Sequence, residues 1–236
     1  MNDLLLVTPP FTQLNTPYPA TAYLKGFLNT RGIASFQMDL GMEVILNIFS
    51  EKGLAKIFSK ECWNNSLPND NSLEMYTNKV RYISTIAPCV KYLQGGEKGL
   101  ISKIIGMNYY PTAQRFNAFD AEDWSYANLS DADKAKHIST LYLEDLSDFI
   151  VDCVDENFGF SRYAERLGRS ANSFDDLHTE LSQESTYIDN LSTSILLEYI
   201  EPNPGKLVCF SVPFPGNVYS AFRCAKSLKK HDPSIK

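Results

Sequence analysis

Two segments at opposite ends of this chain repeat one pattern: a short, almost wholly apolar run, a proline stop, and a stretch with helical spacing. Toward the C-terminus, Leu207 to Val212 is the run, Pro213 stops it, and Pro215-Gly216-Asn217 makes a turn. Val218, Phe222, Ala225 and Lys229, with Ala221 and Leu228 beside them, then recur at helical spacing and predict a stripe on a helix. At the N-terminus, Asp3 to Thr8 runs into Pro9-Pro10. A helix is expected from about Tyr18 to Thr30, with Ala20, Leu24, Phe27 and Leu28 on one face. Apolar runs without polar alternation suit strands covered on both faces. Strand, tight turn and helix is half of a βαβ unit, so the two ends predict one small parallel α/β core.

A third strand completes the expectation. Arg31-Gly32 closes the first helix, and Ala34 to Leu40 reads as a strand with Asp39 at its end. Strand, helix and strand in this order require a right-handed parallel crossover. From Met42 to about Tyr199 there is no period-two alternation, and helix is expected throughout. Glu43 to Lys60 reads as an amphipathic helix bent at Gly53, and Cys62 to Ser72 as a loop. Leu73 to Gln94 reads as helix broken before Pro88, and Glu97 to Met107 as a short helix. Ser130, with Asp133, opens a helix to about Glu156. Ser161 to Gly168 is another. A long helix from Ser173 to Tyr199, capped by Ser173 and Asp176, ends at Pro202-Asn203-Pro204-Gly205. The expected organisation is a split core of residues 1–41 and 206–236 around a helical insertion of residues 42–205. Ser234-Ile235-Lys236 looks like the start of another strand. Three parallel strands make a small sheet, so the chain reads as a truncation of a longer protein, its C-terminal strands missing.

Charge and cysteine usage limit the partners. The net charge is -6 and the pI about 5.1. Lys and Arg are not clustered, which argues against a nucleic-acid partner. The five cysteines fall at Cys62, Cys89, Cys153, Cys209 and Cys224, without CxxC spacing. An odd count and no secretory signal fit free thiols in the cytoplasm. Cys209 and Cys224 are expected to pack as small hydrophobes. No stretch approaches the roughly 20 apolar residues of a membrane span.

In a doubly wound sheet the expected order is second strand, first strand, third strand. The switch point then lies between the first and third, and ligands bind outside the carboxyl ends of the strands there. The loops at that point carry Thr8, Pro10, Phe11 and Thr12 on one side, and Ser211, Pro213, Phe214, Gly216 and Asn217 on the other. Each opens a helix whose N–H groups can hold an anion. Tyr18 and Tyr219 stand at the starts of those helices. The plainer alternative is that the prolines only end strands and the tyrosines are core. Other candidates are weaker. No GxGxxG follows the first strand, Gly95-Gly96-Glu97-Lys98-Gly99 lacks a GK[ST] ending, and His137, His178 and His231 have no paired spacing. Asp120-Ala121-Glu122-Asp123 reads as a solvated acidic loop.

The segments LLLVTPPF, YPATAYLKGFLNTRG, QMDL and VCFSVPFPGNVYSAFRCAKSLKK together resemble the N-terminal cobalamin-binding-like domain of B12-binding-type radical SAM proteins. The resemblance covers both ends and not the helical middle. It implies a Rossmann-like (flavodoxin-like) parallel sheet with a large helical insertion. It also implies cobalamin near Thr8, Pro10, Phe11, Thr12, Tyr18, Ser211, Pro213, Phe214, Gly216 and Asn217. A [4Fe–4S] cluster and S-adenosylmethionine would sit in a radical SAM barrel elsewhere in the same protein, acting on a peptide or small-molecule substrate. The chain departs from the family pattern in two ways. It has no CxxxCxxC, so alone it is not expected to be catalytic, and Leu40-Gly41 follows Asp39 where a DxHxxG motif would bring a cobalt-ligating histidine. The second reading is a degenerate module without cofactor, whose helical insertion docks a peptide substrate or partner.

Overall fold

The computed structural model describes residues 4–12, 18–117, 119–120, 124–160, 174–201 and 207–236. In chain order these form β1 Leu4–Thr8, α1 Ala20–Thr30, β2 Ser35–Asp39, α2 Leu40–Ile48, α3 Glu51–Ile57, α4 Asp70–Thr77 and α5 Lys79–Leu93. Then come α6 Ile101–Ile105, α7 Gln114–Asn117, α8 Trp124–Ala127, α9 Asp131–Cys153, α10 Asp175–Ser182, α11 Tyr187–Ile200, β3 Leu207–Phe210 and α12 Pro215–His231. The chain divides into two compact units, Met1–Leu46 with Asn157–Lys236, and Asn47–Glu156.

The first unit carries a three-stranded parallel sheet ordered β2-β1-β3, the order read from the sequence. Leu4 stands opposite Ser35 on one side and Leu207 on the other; Val7 stands opposite Met38 and Phe210. Leu5, Leu6 and Val7 are buried, as a central strand with both faces covered requires. β3 is an outer strand, as β2 is, and its residues are half-buried or exposed. The Ser211 N–H donates to the Val7 carbonyl at 2.8 Å, while the Val208 N–H donates to Lys236 at 2.7 Å. Donors alternate sides along a strand, so Lys236 lies on the β3 edge away from β1. The fold class is therefore α/β, mostly helical, with a small parallel sheet.

The helix faces differ from the expected ones by about one residue. On α1 the sheet side is Thr21, Lys25 and Leu28, while Tyr23, Leu24 and Phe27 are exposed. The Arg31 guanidinium lies 5.3 Å from the centre of the Phe27 ring. On α12 the buried side carries Asn217, Ser220, Ala221, Cys224 and Leu228, with Tyr219 and Arg223 on its flank, and Phe222 faces solvent. Spacing of 3.6 fits two adjacent stripes nearly equally, and contacts beyond the helix choose between them. Cys224 is buried as expected, and burial pushes its thiol up to about 12.

In the second unit, α3, α4, α5 and α9 enclose an aromatic core. Phe58 packs on Phe149 at 4.6 Å between ring centres, and Tyr142 stacks on Tyr110 at 4.4 Å and on Tyr82 at 5.6 Å. The Tyr142 hydroxyl donates to the Tyr82 carbonyl at 2.9 Å, so its burial leaves no polar atom stranded. Among the described residues between Met42 and Tyr199 there is no strand. Three boundaries differ from the expectation. The first helix of this stretch is two, α2 and α3, because Ser50 caps α3 by accepting from the Gly53 N–H at 3.0 Å. Pro88 lies inside α5 and the break falls at Asn78 instead. Proline removes one helical hydrogen bond, and the buried stripe Tyr82, Ile86, Cys89 and Tyr92 holds the helix across it. The long helix before β3 is also two, with Thr186 and Asp189 forming a capping box at the start of α11. The Ser173 cap, the Ser161 to Gly168 helix and the Pro202 to Gly205 stop lie outside the described residues. Ser130 caps α9 as expected, accepting from the Asp133 N–H.

Among the described residues no helix is long and apolar enough to cross a membrane.

Candidate functional site

The carboxyl ends of β1 and β3 lie side by side, so the two loops read as a site do meet. Asn217, in the first turn of α12, joins them. Its Nδ2 donates to the carbonyls of Pro9 and Phe11, both at 3.0 Å. One side chain therefore holds the loop after β1 against the helix after β3. Asn217 is fully buried, and its Oδ1 has no hydrogen-bond partner among the described residues. The two donated bonds offset the cost of burying the amide, and the idle oxygen is a residual cost.

The loop after β1 turns inward. Phe11 is 1% exposed, with its ring against Phe158 at 5.8 Å, edge to face. α2 starts directly after β2, capped by Asp39, whose Oδ1 accepts from the Met42 N–H at 3.0 Å. A Cβ on Gly41 would stand 3.5 Å from the Pro10 Cα and 3.7 Å from the Phe11 Cα, so the helix passes close to this loop. Asp39 thus serves as a helix cap.

Of the residues read from the sequence, Thr8, Pro10, Phe11, Thr12, Gly216 and Asn217 are buried. Tyr18, Ser211 and Pro213 are half-buried, and Phe214 is exposed. Tyr18 and Phe214 come together, rings edge to face at 5.8 Å. With Val212 and Pro215 they are among the described residues of these loops that reach solvent. A corrin is a wide, flat ligand that must lay most of one face on accessible atoms. Six of the ten residues that would receive it are covered by the chain itself, so in this arrangement they do not fit it.

Tyr219 belongs to the core, not to the loop surface. Its hydroxyl donates to Asp189 Oδ2 at 2.7 Å and accepts from Arg223 Nε at 2.7 Å. Arg223 Nε also lies 3.2 Å from that carboxylate, and its other nitrogens reach the carbonyls of Glu180, Leu181 and Gln183 at the end of α10. Burial first, then the Asp189 charge, pushes the Tyr219 phenol up. Sequence reading missed this group. Its signal was Arg223 four residues after Tyr219, a charge on the inner flank of a helix.

Two other chemical candidates resolve into structure. Asp145, in the second unit, is fully buried, and burial pushes its carboxyl up to about 6. Both its oxygens accept backbone N–H groups, from Ala113 at 2.9 Å and Arg115 at 2.8 Å, which caps α7. Among the described residues no group of three or more His, Cys, Asp or Glu could hold a metal ion. Most of the acidic loop at Asp120 to Asp123 lies outside the described residues.

Searches against protein-family models, curated proteins and solved structures found no match to this chain.

Proposed function

We propose that these residues form the N-terminal, cobalamin-type region of a larger cytoplasmic radical SAM enzyme, and that the region serves there as a scaffold. What supports the reading is that the segments carrying the resemblance come together in one sheet with the first strand central. The tie from Asn217 to Pro9 and Phe11 joins the two quoted loops directly. The chemistry would belong to a barrel holding a [4Fe–4S] cluster and S-adenosylmethionine, with a peptide or small-molecule substrate. The burial of Phe11 and Asn217 favours the cofactor-free form of the scaffold over one that holds cobalamin.

The reading is tested on the whole protein to which residues 1–236 belong. After anaerobic reconstitution with iron and sulfide it is expected to show [4Fe–4S] absorption and to release 5′-deoxyadenosine from S-adenosylmethionine under reduction. A whole protein without a CxxxCxxC motif, or one that assembles no cluster, would rule it out.

A further inference from the structure

The second unit has an open groove between the end of α3 and the start of α5. Its cavity volume is about 480 Å3, and Ala55, Lys60, Glu61, Tyr76, Lys79 and Ile83 are among the residues lining it. That size lies within the range of roughly 300–1,000 Å3 usual for ligand sites. Two cations share one ring here: the Lys79 ammonium lies 3.9 Å from the centre of the Tyr76 ring and the Lys60 ammonium 5.5 Å from it. Lys60 also lies 5.7 Å from the Trp63 ring. Neither lysine has an ion-pair partner among the described residues, whereas Glu61 is paired with Lys56 at 3.7 Å. The surplus positive charge in the groove is therefore that of Lys60 and Lys79.

Lys79 is the first residue of α5, a 15-residue helix with no acid in its first turn. Asn78 before it also caps the C-terminus of α4, so opposed helix ends meet there and the local charge is that of the lysines. A side-chain hydrogen bond with Lys79, and after it the charges of Lys79 and Lys60, hold the Tyr76 phenol below its ordinary range. Such a site costs something while empty and is relieved by an anion.

The geometry points to this groove as a docking site for an acidic peptide, with a Glu or Asp carboxylate between Lys60 and Lys79 and a neighbouring apolar side chain against Ala55 and Ile83. A peptide fits better than a phosphate on three counts. Lysines act as point charges without the fork that grips phosphate. Glu61 at the rim opposes a dianion but can accept a peptide N–H. The Ala55 and Ile83 wall has no use for a bare anion. This inference stands apart from the enzyme reading, and its test needs no cluster.

Trp63 is the natural reporter, and Trp124→Phe leaves it the single tryptophan of the chain. The Trp124→Phe protein is titrated with acetyl-Glu-Leu-Glu-amide, with acetyl-Gln-Leu-Gln-amide and with inorganic phosphate, following tryptophan emission. The acidic peptide is expected to give a saturable change, with the neutral peptide and phosphate at least about ten-fold weaker. Lys60→Gln with Lys79→Gln should weaken the acidic peptide by about five- to ten-fold, as loss of two exposed charge pairs implies. Each lysine variant is also read singly, with far-UV circular dichroism showing that the fold is kept. Equal binding of the two peptides, no saturation, or no effect of the lysine variants overturns the proposal. Phosphate binding as tight as the acidic peptide overturns it in favour of a simple anion site.

Discussion

Gly53→Ala is expected to destabilise the second unit by about 3 kcal/mol or more, although helix propensity alone favours alanine by about 1 kcal/mol. The reason is the approach of α3 to the end of α2. A Cβ on Gly53 would fall 2.0 Å from the Asn47 carbonyl oxygen and 2.4 Å from that of Ile48. Both are backbone atoms, so no side chain can rotate away, and the turn at Phe49 and Ser50 would have to open. Opening it also removes the Ser50 cap and loosens Leu54 and Ile57, which are fully buried. Gly26→Ala is the matched control. It lies within α1 with nothing within 4 Å of its added Cβ, so propensity acts alone and the change should be neutral or stabilising by about 0.5–1 kcal/mol. Thermal unfolding followed by circular dichroism should show a loss of roughly 10 °C or more for the first variant and none for the second. An unchanged transition for Gly53→Ala would mean that the junction of α2 and α3 is wrongly described.

Arg223→Ala is the second large effect, at about 3–5 kcal/mol, the cost usual for removing one partner of a buried pair. Arg223 and Asp189 are 6% and 3% exposed at their side chains. Losing the guanidinium takes from the buried Asp189 carboxylate its ion pair with Arg223, while the bonds it accepts from the Tyr219 hydroxyl and the Thr186 N–H remain. It also removes the guanidinium donors from the carbonyls of Glu180, Leu181 and Gln183, although Glu180 keeps the Gln183 N–H and Leu181 keeps Lys226. The ends of α10 and α11 and the inner face of α12 all meet at this residue. Arg223→Met combined with Asp189→Leu should cost less than Arg223→Ala alone, because the stranded charge goes with its partner. Urea unfolding of the variants checks the order. A single variant as stable as the parent, or a double variant clearly worse than the single, would show that the pair is not the lock proposed here.

The sheet was legible in the sequence because buried parallel strands are written as plain apolar runs. Leu4 to Val7 has no polar alternation to confuse it with a half-exposed strand, and Leu207 to Phe210 reads the same way although it stands half-buried or exposed at the edge of the sheet. Helix caps were legible where a hydroxyl stands three residues before an acid, as at Ser130 and Asp133. Helix facing was not, since Phe222 and Leu24 look like core residues by type and are exposed through their neighbours' packing. Pro88 misled because its local cost is real but is outweighed by four buried side chains on the same helix. At the site, the proximity of the two loops followed from strand order, whereas their closure did not. Closure depends on Phe11 turning toward Phe158 and on Asn217 reaching two carbonyls, contacts between residues far apart in the chain. Nothing in the composition of a Pro-Pro-Phe loop says which way its phenylalanine turns.

Titration with hydroxocobalamin most directly tests the central proposal, that the α/β core is the counterpart of a cobalamin-binding domain and covers the corrin's place with its own side chains. Residues 1–236 and the whole protein are each titrated, following visible absorption and then retention of the corrin through gel filtration. The account predicts no saturable spectral change and no retained corrin with either. A saturable shift with the corrin retained would contradict it, and would mean that the Phe11 and Asn217 loops open to admit the cofactor.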